Sequence, residues 1–428
     1  MTLSPAPLFT PAAFALTLGL LLLAPLAIAG VALINTGLGR ARSAAQSLLG
    51  SLVMISVAAI VFALIGATFA DGASARIFHL AGTSWNWAGA GPFALGGLSA
   101  ASPRAQLAVL FQFLALAFAV LIPWGSGADR FRLVAGAATS ALLAALVFPL
   151  AVHWIWGGGW LAQLGENFSL GAGFLDAGGT ATVHALGGLT ALAVIWIAGP
   201  RKGKFPREGL STAMPGHNAV YVLFGCLLAL VGWLAWNMAG ALLWLSAPPS
   251  ALPLTAINTL LAAAAALAAT FAVTRIRFGK PDASLCANGW LSGLVASSAV
   301  AALVTPAQAL LTGIVAGIVT PLLVEVFELA LSIDDPSGAV SVHAAAGLWG
   351  LLAAGIFAAA PGQFLAQIVG IATLLGLVLP LVYLLFWLLN RIVPLRVDPD
   401  GERIGMDLHE LGGGAYPEFV VHRDDSYR

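Results

Sequence analysis

Asp176-Ala-Gly-Gly-Thr-Ala-Thr-Val-His184-Ala-Leu-Gly-Gly and Asp334-Asp335-Pro336-Ser-Gly-Ala-Val-Ser-Val-His343-Ala-Ala-Ala-Gly decide how this chain is read. Each sets one histidine inside an otherwise apolar run, one in each half of the sequence. In lipid an ionisable side chain is costly and turns toward a bundle interior, a partner or a substrate path. A single membrane histidine serves equally well as hydrogen-bonded glue between helices. Two in corresponding places point instead to a pair meeting at the centre of a pore, where imidazole can exchange a proton near neutral pH.

The surrounding composition agrees with a lipid setting. Of 428 residues, 60% are hydrophobic and 8% charged, and the mean hydropathy is +0.96. That excludes a soluble globular domain and implies a polytopic membrane protein. Zero net charge gives no footing for nucleic-acid binding. Cys226 and Cys286 fall in apolar stretches and read as small buried hydrophobes, not as a disulfide or metal site. Neither a metal nor another cofactor is expected. Met1 to Pro11 carries no Lys or Arg, and the apolar run from about 12 to 34 is too long for a signal peptide core. It reads as a first membrane helix.

Apolar segments of spanning length, about 20 residues, lie near 9–36, 44–70, 105–125, 133–155, 180–199, 217–246, 253–274, 284–303, 306–331, 341–360 and 363–393. The expected fold is therefore an all-α membrane protein of eleven transmembrane helices, with a membrane domain over 1–393 and a cytoplasmic tail over 394–428. With the N-terminus outside, all but Arg76 and Arg104 of the 18 Lys and Arg residues fall in inner loops or in a tail that carries Arg391, Arg396, Arg403, Arg423 and Arg428. This is the positive-inside distribution, and an even helix count would break it. Five helices reverse direction, so a second set of five is inverted relative to the first. The repeats would cover about 9–199 and 217–360, each ending in a histidine-bearing helix, with helix eleven (about 363–393) packed outside. Such 5+5 inverted repeats place their site near the membrane midplane.

Several pieces resemble the ammonium transporter (Amt/Mep/Rh) superfamily, in particular its Amt branch. They are Gly30-Val-Ala-Leu33 with Gly37-Leu38, Ala128-Asp129-Arg130, Trp156-Gly-Gly-Gly159 ahead of Asp176 and His184, His217-Asn218, and Gly232-Trp233 with Asn237. Further on come Gly279-Lys280-Pro281 with Asn288-Gly289, Asp334-Asp335-Pro336 before His343, and Gly405-Met406-Asp407 with Ala415-Tyr416-Pro417. The resemblance covers most of the chain. It implies a homotrimer in a prokaryotic inner membrane with one narrow ammonium-conducting pore per subunit, not an enzyme, and docking of a cytoplasmic PII-type signal protein at the pore exit.

Carried over residue by residue, His184 and His343 take the place of the paired pore histidines. Trp156 takes that of the outer-site tryptophan, Asp176 that of the acidic residue buried beside it, and Trp236 that of the inner of two stacked pore phenylalanines. The outer phenylalanine aligns to Ala115, with Phe111 and Phe118 a turn away on the same face. The outer-site serine aligns to Gly240, the aromatic pair ending helix one to Ile34-Asn35, and the tail histidine and glutamate to Leu411 and Gly413. Gating and regulation are where this chain departs.

The residues themselves leave alternatives open. Neighbouring imidazoles can share a ring hydrogen bond and turn their other nitrogens to a lumen. Trp156 fits a cation–π site or an interfacial belt. Trp236 is a gate ring or core packing. Asp176 suits an N-terminal cap for the fifth helix, with a negative field at the mouth following from it. Asp334-Asp335-Pro336 reads as a cap and turn before helix ten. Glu325 and Glu328 read as solvated or paired, and Trp85-Asn86-Trp87 as an outer belt. The implied activity is ammonium capture, deprotonation, passage past the histidines and reprotonation. The rivals are an ammonium sensor that binds without conducting, and a neutral-gas or methylamine conduit.

Overall fold

The computed structural model describes residues 9–72, 75–80, 82–207 and 211–416. Met1 to Leu8, Pro417, Arg423 and Arg428 lie outside the described residues. Long helices follow one another: α1 (Pro11–Leu38), α2 (Ala41–Ala70), α3 (Pro103–Ser126), α4 (Leu133–Ile155), α5 (Thr180–Ala198), α6 (Ala219–Trp244), α7 (Pro249–Phe278), α8 (Ala283–Val300), α9 (Pro306–Ala330), α10 (Val340–Phe357) and α11 (Gln363–Asn390). All but α8 are apolar and long enough to cross a membrane.

The exception has a physical reason. Helix α8 is buried along nearly its whole length, so its polar side chains face other helices. Thr320 donates to Ser292 at 2.6 Å, Asn237 to Ser297 at 3.1 Å and the Trp233 indole to Ser298 at 2.8 Å. Internal partners make a low hydropathy tolerable.

Helix starts are written in ordinary capping chemistry. Thr10, Ser102, Asn218 and Asp282 each accept a first-turn backbone N–H of α1, α3, α6 and α8. Thr305 and Gln308 form a reciprocal capping box on α9. Small residues then let backbones meet. A Cβ at Gly30 of α1 would sit 2.5 Å from the Gly225 carbonyl oxygen of α6, and one at Gly225 would sit 2.6 Å from that of Gly30. This is small-residue packing of the kind expected where lipid supplies no hydrophobic drive.

Two segments refine the reading. The connection near 71–104 contains an antiparallel ribbon, β1 (Ala75–Leu80) with β2 (Thr83–Gly89), which an all-α expectation lacks. His153 of α4, wholly buried, fastens it: one ring nitrogen lies 2.8 Å from Asn86 Oδ1 and the other 2.9 Å from the Asp71 carbonyl. Trp85 and Trp87 pack on Trp160, and Trp87 also on Trp154.

The tail folds back on the helix ends. Asp407 accepts from Ala45 N and Gln46 N at the start of α2, and Glu410 accepts from Leu133 N at the start of α4. Near Leu411 and Gly413, these two carboxylates thus cap two helices.

Candidate functional site

Helix α5 opens with a wide π turn over Thr180–Ala185, and α10 opens with one over Val340–Ala345. Four residues after each histidine stands a glycine. Gly188 lies against the backbone of Ala344, and a Cβ at Gly347 would lie 3.3 Å from Ala185 N. The two helices thus cross in contact at one level, each glycine receiving the residue that follows the other's histidine.

This crossing brings His184 and His343 together, with ring centroids 5.3 Å apart and planes 21° from parallel. Trp233 stacks on His184 at 4.9 Å and 15°, and its indole is fixed to Ser298. Both nitrogens of His184 and Nδ1 of His343 are buried without a hydrogen-bond partner in the protein. The ring hydrogen bond expected between the imidazoles is not formed. An imidazole's donor and lone pair lie in its plane, so rings held face to face cannot aim one at the other. An orphaned buried nitrogen costs about 1–3 kcal/mol, and three of them side by side suit a surface that meets a polar guest.

Toward the other end of α3 and α6 the site becomes an aromatic stack. Phe111 lies on Trp236 at 3.8 Å and 23°, and Phe118 meets Trp236 at 5.5 Å and His184 at 5.9 Å. The space beside the wholly buried Ala115 is thus flanked by Phe111 and Phe118, and it is Phe111 that faces Trp236. The Trp236 indole donates to the Gly178 carbonyl at 2.8 Å. At Gly240, which the resemblance aligned to a serine, a Cβ would strike the Ala177 carbonyl oxygen.

At the far end of this stack, Trp156 donates to the main-chain carbonyl of Asp176 at 2.6 Å. The Asp176 carboxylate turns the other way: Oδ2 accepts from the backbone N and the hydroxyl of Thr182, both at 2.9 Å, and caps α5. Its Oδ1 is buried without a partner. Sequence reasoning missed Trp244. It stacks on Trp156 with centroids 5.0 Å apart and planes 3° from parallel, while Phe111 meets both indoles edge-on. Its signal was spacing, since Gly240 and Trp244 follow Trp236 at four and eight residues, on one helical face.

Beyond the histidines a buried ionic knot joins the two halves. Arg201 grips Asp334 through Nε (2.9 Å) and Nη2 (2.8 Å) and reaches Asp129 through Nη1 (3.0 Å). Arg130 lies 3.7 Å from Asp334. Against the burial that would raise it, the hydrogen bonds of Arg201 and the charges of Arg130 and Arg201 hold the Asp334 carboxyl at about 2. Of the acidic pair expected to cap α10, only Asp335 does so, accepting from Val340 N at 2.7 Å, and burial pushes it up to about 6. Asp334 is spent on arginine instead. Glu325 and Glu328 are both paired, with Arg277 and Lys204.

Residues 13–416 match the model of the Ammonium Transporter Family. The chain is 33% identical over 413 residues to ammonium transporter Amt2 of Archaeoglobus fulgidus, covering 92% of this chain and 85% of that protein. A solved structure described as a sensor Amt protein superposes with a TM-score of 0.83 at 26% identity, over 93% of this chain and 97% of the other. Mep2 of Candida albicans shares the fold, with a TM-score of 0.79 at 22% identity over 95% and 90% of the two chains.

Proposed function

Since the chain belongs to the ammonium transporter family, a family of membrane transporters rather than enzymes, we propose that it captures NH4+ at an outer mouth and conducts it as NH3 plus H+ past His184 and His343. The observation that carries this reading is the stacked imidazole pair with three buried, unpaired ring nitrogens. A line of neutral imidazoles accepts and returns a proton and offers NH3 a hydrogen-bonding wall inside an apolar lumen. Potassium has no proton to give and would bear its full desolvation there. Selectivity then comes from acid–base chemistry, not from size.

In this reading Trp156 is the capture ring and Asp176 supplies a fixed negative field, with Gly240 packed on the Ala177 carbonyl and Ala115 between Phe111 and Phe118 in the wall of the same mouth. Trp236, stacked under Phe111, is the inner gate. All of α1 to α11 span the membrane, α8 included, with the N-terminus outside and the C-terminus inside. The matching π turns and reciprocal glycine contacts of α5 and α10 support a 5+5 inverted repeat with α11 outside it. The setting is a prokaryotic inner membrane and the assembly a homotrimer. The folded tail offers a face for a PII-type regulator, which a pull-down with that protein at each nucleotide state tests.

A second reading, an ammonium sensor that binds without conducting, draws on the likeness to the sensor Amt structure and on the close Phe111–Trp236 stack across the path. Ammonium-evoked current in proteoliposomes separates the two. A saturable current supports transport, whereas binding without current supports the sensor. Flux without charge or saturation would mark a neutral-gas conduit.

A further inference from the structure

Three indoles gather at the mouth, and two of them are tied. Trp156 donates to the Asp176 carbonyl and Trp236 to the Gly178 carbonyl. The third, Trp244, has its indole nitrogen buried with no acceptor. It is also the last residue of α6, two residues before Ser246 at a φ of 50°, and helix ends fray where interior turns do not. Its seat is held by ring contacts: the parallel stack on Trp156 and the edge contact with Phe111.

We infer that Trp244 sets the affinity of the outer site, acting as an internal competitor that covers the Trp156 face turned toward α6 and must leave before a small cation is captured there. The inference rests on the ammonium binding proposed above. A cation over an indole and a ring stacked on it use the same electron-rich face, and a parallel centroid separation of 5.0 Å leaves no room for both. Neither contact outweighs the other by much, so exchange is close to balanced. Gly240, one turn before Trp244, adds no side chain that would hold the ring in place. Breaking the stack costs no indole hydrogen bond, while a displaced Trp244 gains access to a partner for its N–H.

The test titrates ammonium against wild type, Trp244→Ala, Trp244→Phe, and Trp244→Ala combined with Trp156→Ala. It reads half-saturation from proteoliposome current and, independently, from heat of binding in detergent. Trp244→Ala should lower the half-saturating concentration roughly threefold to tenfold, the worth of one aromatic pair. Trp244→Phe should lie between, and removing Trp156 as well should abolish the gain. Should Trp244→Ala fail to fold, the milder Trp244→Phe decides by the same direction of shift. Half-saturation that is unchanged or raised overturns the inference, as does a gain that survives loss of Trp156. A wild type with neither current nor binding overturns the proposed function itself.

Discussion

Arg201→Gln removes the cation at the centre of the buried knot. The variant leaves two buried carboxylates without their closest cation, because Arg201 makes three side-chain contacts of 2.8–3.0 Å with Asp334 and Asp129, and only Arg130 and the Arg201 backbone N–H remain for Asp334 and Arg40 for Asp129. Breaking a buried pair from one side costs about 3–5 kcal/mol. The pH dependence identifies the cause. In the wild type Asp334 sits at about 2, below the roughly 3.9 of a free aspartate. Its stabilisation is therefore present above about 3.9 and is lost as pH falls through about 2. Without the guanidinium, burial is opposed only by the Arg130 charge and the Arg201 backbone N–H, so the variant's carboxyl rises from the wild-type position and gains less stability than the wild type as pH climbs. The gap between the proteins should be several kcal/mol near pH 7 and should narrow toward pH 4. Thermal or denaturant unfolding in detergent at both pH values measures it. A gap below about 1 kcal/mol, or one equal at both values, would refute the reasoning.

Gly240→Ser should destabilise by about 1–3 kcal/mol, since the added Cβ meets the Ala177 carbonyl; a lower melting temperature without tighter ammonium binding is the expected result. Ala115→Phe likewise overpacks a wholly buried position beside Phe111 and Phe118, and should lose stability by a similar amount without rebuilding a gate. Asp407→Ala removes a carboxylate that accepts two backbone N–H groups of α2, at a cost of about 0.5–2 kcal/mol; tryptic cleavage at Arg403 should become faster.

Much of the fold was legible because lipid imposes simple rules. Length and hydropathy led to the helices, and the caps that the structure shows at Thr10, Ser102, Asn218 and Asp282 are a further signal that went unread. Helix α8 was found by length although its serines lower its hydropathy, and Ser292, Ser297 and Ser298 bond to neighbouring helices. The ribbon over 75–89 was missed because its alternation, with Trp85 and Trp87 on one side of the strand, looks like an interfacial belt when read alone. The meeting of His184 with His343 was expected from their corresponding places in the two halves, and the rings do lie together. Their stacking was not expected, because it depends on Trp233 and on Gly188 and Gly347, residues that carry no chemistry of their own. Trp244 escaped for a similar reason, being one tryptophan among thirteen until the stack on Trp156 sets it apart. The alignment to a missing serine at Gly240 described chemistry lost, whereas the structure describes a backbone that leaves no room for it.

The central claim is that paired imidazoles split ammonium. Its most direct test is ammonium-evoked current, with potassium as the competing ion, in proteoliposomes of wild type and of His184→Ala combined with His343→Ala. The account predicts a saturable wild-type current selective for ammonium over potassium, with that selectivity collapsing in the double variant. A double variant that keeps full selectivity would contradict it.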